Sequence, residues 1–158
     1  MNKPNINKIA ERWSQRARSG EWERTLKDPS SYVNEDDAYN KFVKVLKKKL
    51  GGTKQDLILD IGCGTAVMWE TLKRFCPEKY IIGLDIAEGM IEIAKKNYPN
   101  SNFVVGDAHE IDKLIPFREF TSIISRGVII NHIEIEYFKK ILDKAFNFLK
   151  RDGALIFD

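Results

Sequence analysis

Three aspartates at or beside the ends of short apolar segments are the residues best suited to bind a ligand: Asp60, Asp85 and Asp107. Gly62 and Gly64 follow the first of them, and glycines let a chain turn tightly and let a ligand approach the backbone. Asp85 comes 21 residues after Gly64, the offset at which a carboxylate reaches a ribose diol in nucleotide-binding α/β folds. Aspartate is also a common turn residue, but three at successive segment ends favour a site for a ribose-containing ligand.

The elements that would position these aspartates alternate between strands and helices. Apolar runs predict strands at 57–61, 80–85, 103–107, 120–125 and 154–158, and apolar stripes at helical spacing predict helices near 66–75, 88–98 and 134–150. This alternation is typical of an α/β fold with a doubly wound parallel sheet. Ligands bind beyond the carboxyl ends of such strands, so the three aspartates would share one edge of the sheet.

The first third of the chain has a different pattern and predicts helices without strands. One amphipathic helix is expected over 6–17, before Gly20, and a second over 36–50. We therefore divide the chain into an N-terminal helical segment, residues 1–52, and a ligand-binding α/β core, residues 53–158.

Length and composition exclude several classes of protein. The 158 residues, 18.3 kDa, suit one domain. The 26 basic and 23 acidic residues are interleaved, a balance that argues against nucleic-acid binding. No apolar run approaches the ~20 residues of a membrane span, and no secretory signal is visible. Two cysteines and two histidines show no metal-ligand spacing. We expect a cytoplasmic protein with no metal and no membrane partner.

The residues around the first glycines discriminate between ligands. A dinucleotide fingerprint has glycine or alanine at its sixth position, where this chain has Val67. A carboxylate at Asp60 would repel a pyrophosphate but would suit an ammonium group and a sulfonium. A nicotinamide-dependent dehydrogenase is therefore a disfavoured alternative.

Three motifs carry a family resemblance: LDIGCGTA at residues 59–66, GLDIAEGM at 83–90 and GDA at 106–108. Together they resemble class I S-adenosylmethionine-dependent methyltransferases, from about residue 55 to the end of the chain. The similarity is greatest to the small-molecule branch that includes the ubiquinone and menaquinone biosynthesis methyltransferases. It implies a Rossmann-like doubly wound sheet and S-adenosylmethionine as the cofactor.

The resemblance also implies which residues would contact each part of the cofactor. Asp60, Gly62, Cys63, Gly64 and Ser125 would face the methionine and sulfonium end, Asp85 the ribose hydroxyls, Ile86 and Met90 the adenine ring, and Asp107 and Ala108 the adenine edge. Ala66 replaces a common third glycine, and Ala87 replaces a frequent serine. We interpret Cys63 as a packing residue, not as a nucleophile.

The sequence defines the residues that would bind the methyl acceptor less well than those that would bind the cofactor. Methyl transfer from a sulfonium needs mainly alignment, with a general base only if the nucleophile must lose a proton. His132 is the candidate base, although the interpretation that we favour for this histidine is capping or packing beside the next helix. Arg126 is a candidate for binding a substrate carboxylate or phosphate. Trp13 and Tyr32 precede the sheet and either cover the substrate or pack on the core.

The end of the fourth strand lacks the Asn/Asp-Pro-Pro-aromatic motif with which this superfamily methylates amino groups of bases and glutamine amides. We therefore expect a small-molecule acceptor; a non-catalytic domain that binds the cofactor or its product is the alternative. Family members have seven strands, the last two forming an antiparallel hairpin, and we count five here. We accordingly expect a C-terminally truncated form, or a homodimer that covers the exposed edge of the fifth strand.

Overall fold

The computed structural model describes residues 5–20, 36–50, 56–115, 119–126 and 134–157, with side chains from residue 41 onward in the second of these ranges. The described strands are β1 (Ile58–Ile61), β2 (Ile81–Asp85), β3 (Asn102–Val105), β4 (Phe120–Ser125) and β5 (Leu149–Phe157). They form a five-stranded sheet in the order β3-β2-β1-β4-β5, and every pairing is parallel. The predicted doubly wound parallel sheet is confirmed. The strand order reverses between β1 and β4, which places the ligand crevice at their carboxyl ends.

Helices cover both faces of this sheet. The described helices are α1 (Ile6–Ser19), α2 (Asp36–Lys49), α3 (Trp69–Leu72), α4 (Glu88–Asn97), α5 (Ile111–Leu114) and α6 (Ile135–Phe146), with 3-10 turns at Glu78–Tyr80 and Ala108–Glu110. One buried cluster joins α2, α3 and α4 to one face, and a second joins α5 and α6 to the other. Successive strand side chains point to opposite faces, which is why Ile58 belongs to the first cluster and Leu59 to the second.

Three predicted elements differ from the observed ones. The helix expected over 66–75 is a single turn, α3, and it cannot begin at Ala66 because that residue has a left-handed backbone with a φ of 62°. Residue 66 therefore belongs to the glycine loop and not to the helix. The fifth strand begins at Leu149 and not at residue 154, and α6 ends correspondingly early, at Phe146.

The early start of β5 depends on an irregularity in its pairing with β4. Phe120 pairs with Leu149, but Ser122 pairs with Ala154, so β5 contains extra residues between the two pairs. A Cβ at Gly153 would lie 3.1 Å from the Phe120 carbonyl oxygen and 3.0 Å from that of Lys150. A glycine with such close backbone neighbours in a strand is typical of a bulge.

The N-terminal helix α1 packs on the first turn of α4, directly after the carboxyl end of β2. Ala17 is buried against Ala87 and Met90, and Trp13 lies against the same cluster. The Gly89 N–H donates to the Ser14 Oγ at 3.3 Å. A Cβ on Gly89 would lie 2.7 Å from the Ser14 carbonyl oxygen. Glycine therefore lets the two helix backbones approach closely.

The substitution Gly89→Ala should release α1 from α4. Its Cβ would meet backbone atoms of Ser14 that cannot rotate away, and overpacking of this kind costs about 1–3 kcal/mol. That cost exceeds the gain in helix propensity of about 1 kcal/mol. Amide hydrogen exchange should become faster across Ile6–Ser19 and remain unchanged in the sheet.

Gly106→Ala is the matched control, because the atoms nearest its Cβ would belong to the Leu114 side chain and not to a backbone. Equal exchange rates in α1 for both variants would contradict the role assigned to Gly89.

Candidate functional site

The loop after β1 is held to the end of β2 by the Asp85 carboxylate. Its Oδ2 accepts from the Gly64 N–H at 2.8 Å, and its Oδ1 accepts from the Ala87 N–H at 2.8 Å. The Gly62 and Cys63 N–H groups donate to the Leu84 carbonyl oxygen. One side chain therefore ties the glycine loop to the start of α4.

The loop needs a left-handed backbone at three positions. Gly62, Gly64 and Ala66 have φ angles of 72°, 55° and 62°. This conformation is unstrained for glycine, whereas a residue with a Cβ loses about 1–2 kcal/mol. The glycine that is common at this third position in the family would adopt the left-handed backbone without strain. Ala66 adopts the same backbone at a cost in conformational free energy. A Cβ on Gly64 would meet nothing within 4 Å, so the loop faces open space there.

Asp60 lies beside this loop, and its side chain is buried with only 4% of the residue exposed. Its Oδ2 accepts from the Trp69 indole Nε1–H at 2.9 Å. Burial raises the pKa of Asp60 to about 7, with a smaller contribution from the negative charge of Asp85 and an opposing one from the Trp69 hydrogen bond. Burial also raises the pKa of Asp85, although the N–H groups of Ala87, Gly64 and Ile86 oppose the change. Two buried carboxyl groups therefore lie at one edge of the sheet.

Ser125 ends β4, the strand that pairs with β1. It is 1% exposed, and its Oγ has no hydrogen-bond partner among the described residues. Leaving a buried hydroxyl without a partner costs about 1–3 kcal/mol. A polar group of a ligand bound at this edge would remove that cost.

The Cys63 thiol is buried in the same loop. Its pKa lies well above the usual range because of burial first, and then because of the negative charges of Asp60 and Asp85. A thiol that stays protonated is a poor nucleophile, which agrees with the interpretation of Cys63 as a packing residue.

At the end of β3, the Asp107 carboxylate is also engaged. Its Oδ1 accepts from the His109 N–H at 2.9 Å, and its Oδ2 accepts from the Tyr137 hydroxyl. The His109 and Tyr137 rings stack with 4.8 Å between their centroids. Ala108 begins the 3-10 turn that follows Asp107. Tyr137 lies on α6, within the helix predicted over 134–150, and is not among the predicted site residues.

The remaining predicted residues lie in different places. Ile86 is half-buried after β2, and Met90 is buried on α4 in the cluster that contains Trp13. The Trp13 side chain thus packs against the cluster that contains Met90, one of the predicted cofactor residues. Arg126 follows Ser125, and its Nη1 donates to the Met68 Sδ at 3.7 Å.

Two predicted residues, Tyr32 and His132, lie outside the described residues. Within the ranges that the structure describes, no three His, Cys, Asp or Glu side chains come together as metal ligands. The same ranges contain no helix that is long and apolar enough to cross a membrane.

The donors and acceptors at this edge fit the cofactor that the resemblance implies. The Asp85 oxygens accept from backbone N–H groups, including those of Gly64 and Ala87, and keep acceptor capacity for a ligand hydroxyl. Asp60 has an acceptor oxygen beyond the one bound to Trp69, and Ser125 has an unused hydroxyl. Two carboxyl groups and open space at Gly64 suit a ribose diol and an ammonium group better than a pyrophosphate.

A parallel sheet in this order with a glycine loop and acidic strand ends defines a class I, Rossmann-like nucleoside-binding domain. Residues 58–153 match the family described as "Methyltransferase domain". The match covers more than half of the chain, so the chain belongs to the methyltransferase domain family. The resemblance to class I S-adenosylmethionine-dependent methyltransferases is confirmed.

Individual relatives agree with this assignment. The chain is 30% identical over 119 residues to the malonyl-[acyl-carrier protein] O-methyltransferase of Bacillus cereus, covering 73% of this chain and 41% of the relative. It is 35% identical over 101 residues to the demethylmenaquinone methyltransferase of Thermotoga maritima, covering 63% of this chain and 41% of the relative. The chain thus spans less than half the length of these curated relatives.

Solved structures show the same fold at lower identity. The DhpI–SAM–HEP complex has a TM-score of 0.73 at 17% identity, covering 99% of this chain and 66% of that one. CalS10, an amino pentose methyltransferase from Micromonospora echinaspora, has a TM-score of 0.64 at 20% identity, covering 77% of this chain and 49% of its own. Identities this low establish the fold alone.

The substitution Asp60→Asn should stabilise the ligand-free protein, and the gain should depend on pH. With its pKa raised from 3.8 to about 7, Asp60 binds a proton more tightly in the folded than in the unfolded chain. Stability conferred by the native residue therefore falls as the pH rises from about 4 to about 7 and is constant above that. The free energy of unfolding should favour the variant by an amount that grows through this range to about 2–4 kcal/mol.

Urea unfolding at a series of pH values measures this difference. Asp112→Asn is the matched control: Asp112 is exposed, and its hydrogen bond from Lys144 lowers its pKa, so its loss should have a small effect of the opposite sign. A stability gain for Asp60→Asn that does not change with pH would show that the native carboxylate is not the cause.

Proposed function

We propose that this chain is an S-adenosylmethionine-dependent methyltransferase domain that transfers a methyl group to a small-molecule acceptor by in-line displacement. The observation that carries the proposal is the convergence of two buried carboxyl groups, Asp60 and Asp85, and the unpartnered Ser125 hydroxyl at one edge of the sheet. Membership of the methyltransferase domain family supports it.

Each of these side chains has a distinct task in the proposal. Asp85 accepts from the ribose hydroxyls while it holds the glycine loop. Asp60 accepts from the ammonium group of the methionine part, and Ser125 donates to or accepts from the same end. The bound cofactor supplies a methyl group already activated on a sulfonium. The chain supplies alignment, which is worth about 7–11 kcal/mol when reacting atoms are held in place.

The adenine would lie between the ends of β2 and β3. Ile86 and Met90 offer apolar contact, and Ala108 offers its backbone. Asp107 has lone pairs besides those that accept from the His109 N–H and the Tyr137 hydroxyl. An acceptor-only carboxylate suits the adenine amino group.

The acceptor would approach from the side of β4. We propose Arg126 as the group that binds a carboxylate or phosphate of the acceptor, because it directly follows Ser125 and carries the positive charge nearest to it in the chain. Relatives named for a malonyl group on acyl-carrier protein and for demethylmenaquinone show how widely acceptors vary among similar chains. His132 remains the proposed base for acceptors that must lose a proton, and Trp13 and Tyr32 the proposed aromatic cover.

Titration calorimetry with S-adenosylmethionine, S-adenosylhomocysteine and NAD tests the proposal, followed by transfer of labelled methyl groups to extracted metabolites. We expect both adenosyl ligands to bind and a labelled small molecule to form. Binding of NAD alone would contradict the cofactor assignment. Binding without transfer to any metabolite would favour the non-catalytic alternative.

Two serine variants sharpen the binding test, because Ser122 and Ser125 are both buried on β4 with unpartnered hydroxyls. Either change to alanine removes an unsatisfied group and should leave the ligand-free protein at least as stable. Only Ser125→Ala should weaken the binding of S-adenosylhomocysteine, since Ser122 lies within the strand and away from its carboxyl end. Equal affinities for the two variants would remove Ser125 from the site.

We also propose a homodimer through β5, which ends the sheet order, so that within the described residues no strand pairs with its outer edge. An unpaired edge strand is a template for pairing with another chain. Sedimentation equilibrium should show a dimer whose population rises with concentration; a monomer at every concentration would contradict this.

We also propose that the chain divides into an N-terminal helical segment, residues 1–52, and a core, residues 53–158. We propose a cytoplasmic location for it. Cys63 and Cys76 are both buried and free, which suits a reducing compartment.

A further inference from the structure

We infer that Trp69 is a positioning residue for the amino-acid end of the cofactor, because its indole N–H holds one oxygen of Asp60 and leaves the other to accept from the ammonium group. The inference rests on the proposed function. It adds to the site a residue of α3, and this residue lies outside the glycine-loop motif at residues 59–66.

The indole of Trp69 is fixed from several sides. The residue is completely buried. Its ring stacks on Phe103 with 4.6 Å between centroids and an angle of 20° between planes, and it contacts Tyr98 at 5.4 Å. The Tyr98 hydroxyl in turn donates to Glu70 at 2.8 Å. An indole held in this way directs its single donor at the Asp60 Oδ2, 2.9 Å away.

A glycine in β2 makes room for this arrangement. Asp60, Gly83 and Phe103 pair side by side on β1, β2 and β3. A Cβ on Gly83 would lie 2.7 Å from the Phe103 ring and 2.8 Å from the Cys63 Sγ. Glycine therefore lets Phe103 reach the face of Trp69, so three strands and α3 together determine where the indole lies.

The chemistry of the indole decides what it does to Asp60. An indole N–H only donates, so its bond stabilises the ionised form of the carboxyl group that a ligand ammonium requires. The negative charge of Asp85 acts in the opposite direction and raises the pKa of Asp60. The Cys63 thiol, whose own pKa is raised, stays protonated and adds no charge. With the pKa of Asp60 at about 7, affinity for an amino-acid-bearing ligand should rise with pH through neutrality.

Removing the indole N–H should therefore raise the pKa of Asp60 and free its carboxylate to rotate. The sharpest change is replacement of Trp69 with β-(3-benzothienyl)alanine, which keeps the ring shape and has sulfur in place of N–H. Trp69→Phe is the second variant and also removes the donor. Tyr98→Phe is the control, since it removes a hydrogen bond from the same aromatic cluster without touching Asp60.

Calorimetry with two ligands from about pH 5.5 to about pH 8.5 measures the effect. S-Adenosylhomocysteine carries the amino-acid group, and 5′-methylthioadenosine keeps the adenine, ribose and sulfur without it. At neutral pH the benzothienyl variant should bind S-adenosylhomocysteine about ten-fold more weakly. Its pH midpoint should move upward, while its affinity for 5′-methylthioadenosine and the pH profile of Tyr98→Phe should match those of the native protein.

A carboxyl-carbon NMR titration of Asp60 in the ligand-free protein gives a second readout, and its midpoint should be higher in both Trp69 variants. If the Trp69 variants lost affinity equally for both ligands, Trp69 would have a merely structural role and the inference would be overturned. An unchanged S-adenosylhomocysteine affinity would also overturn it. If the native protein bound neither ligand, the proposed function itself would fail, and the inference would fail with it.

Discussion

The hydrogen bonds that the Asp85 carboxylate accepts from Gly64 and Ala87 are the interaction on which the site depends. They join the loop after β1 to the helix after β2, so the two halves of the crevice are held at a set distance by one side chain. The loop reaches Asp85 only because Gly62 and Gly64 adopt a left-handed backbone. Glycine and aspartate at this spacing are thus parts of a single structural unit, which positions the backbone and keeps acceptor capacity for a ligand.

This arrangement stores unfavourable free energy at the sheet edge. Asp60 and Asp85 are buried near one another, and burial raises the pKa of both. Ser125 adds a buried hydroxyl without a partner among the described residues. A chain selected for stability alone would have apolar residues here, so the polar groups point to a ligand that satisfies them. The aromatic cluster of Trp69, Phe103 and Tyr98 has the complementary task, because its packing holds the Asp60 carboxylate in one place.

The fold could be predicted where local pattern and tertiary packing agree. Apolar runs indicated all five strands and their order of appearance, since strands covered on both faces must be apolar throughout. The prediction was wrong for residues 66–75, where apolar spacing favoured a long helix but Ala66 belongs to the glycine loop, with a φ of 62°. It was also wrong for the start of β5, because the pairing of Leu149 with Phe120 depends on a bulge near Gly153 that strand propensity does not encode.

By itself, the sequence determined the class of the protein and the chemistry of its acidic strand ends. Both depend on residue types at short spacing, such as the glycines beside Asp60 and the offset from Gly64 to Asp85. Only the tertiary structure decided which side chains hold those acids. Trp69 donates to Asp60 while stacked on Phe103, which packs against Gly83. Tyr137 reaches Asp107 from a helix 30 residues away, and Ser14 meets Gly89 across 75 residues. The contacts of Trp69 with Phe103, of Tyr137 with Asp107 and of Ser14 with Gly89 join elements that are distant in the chain. The packing geometry of those elements does not follow from any local sequence pattern.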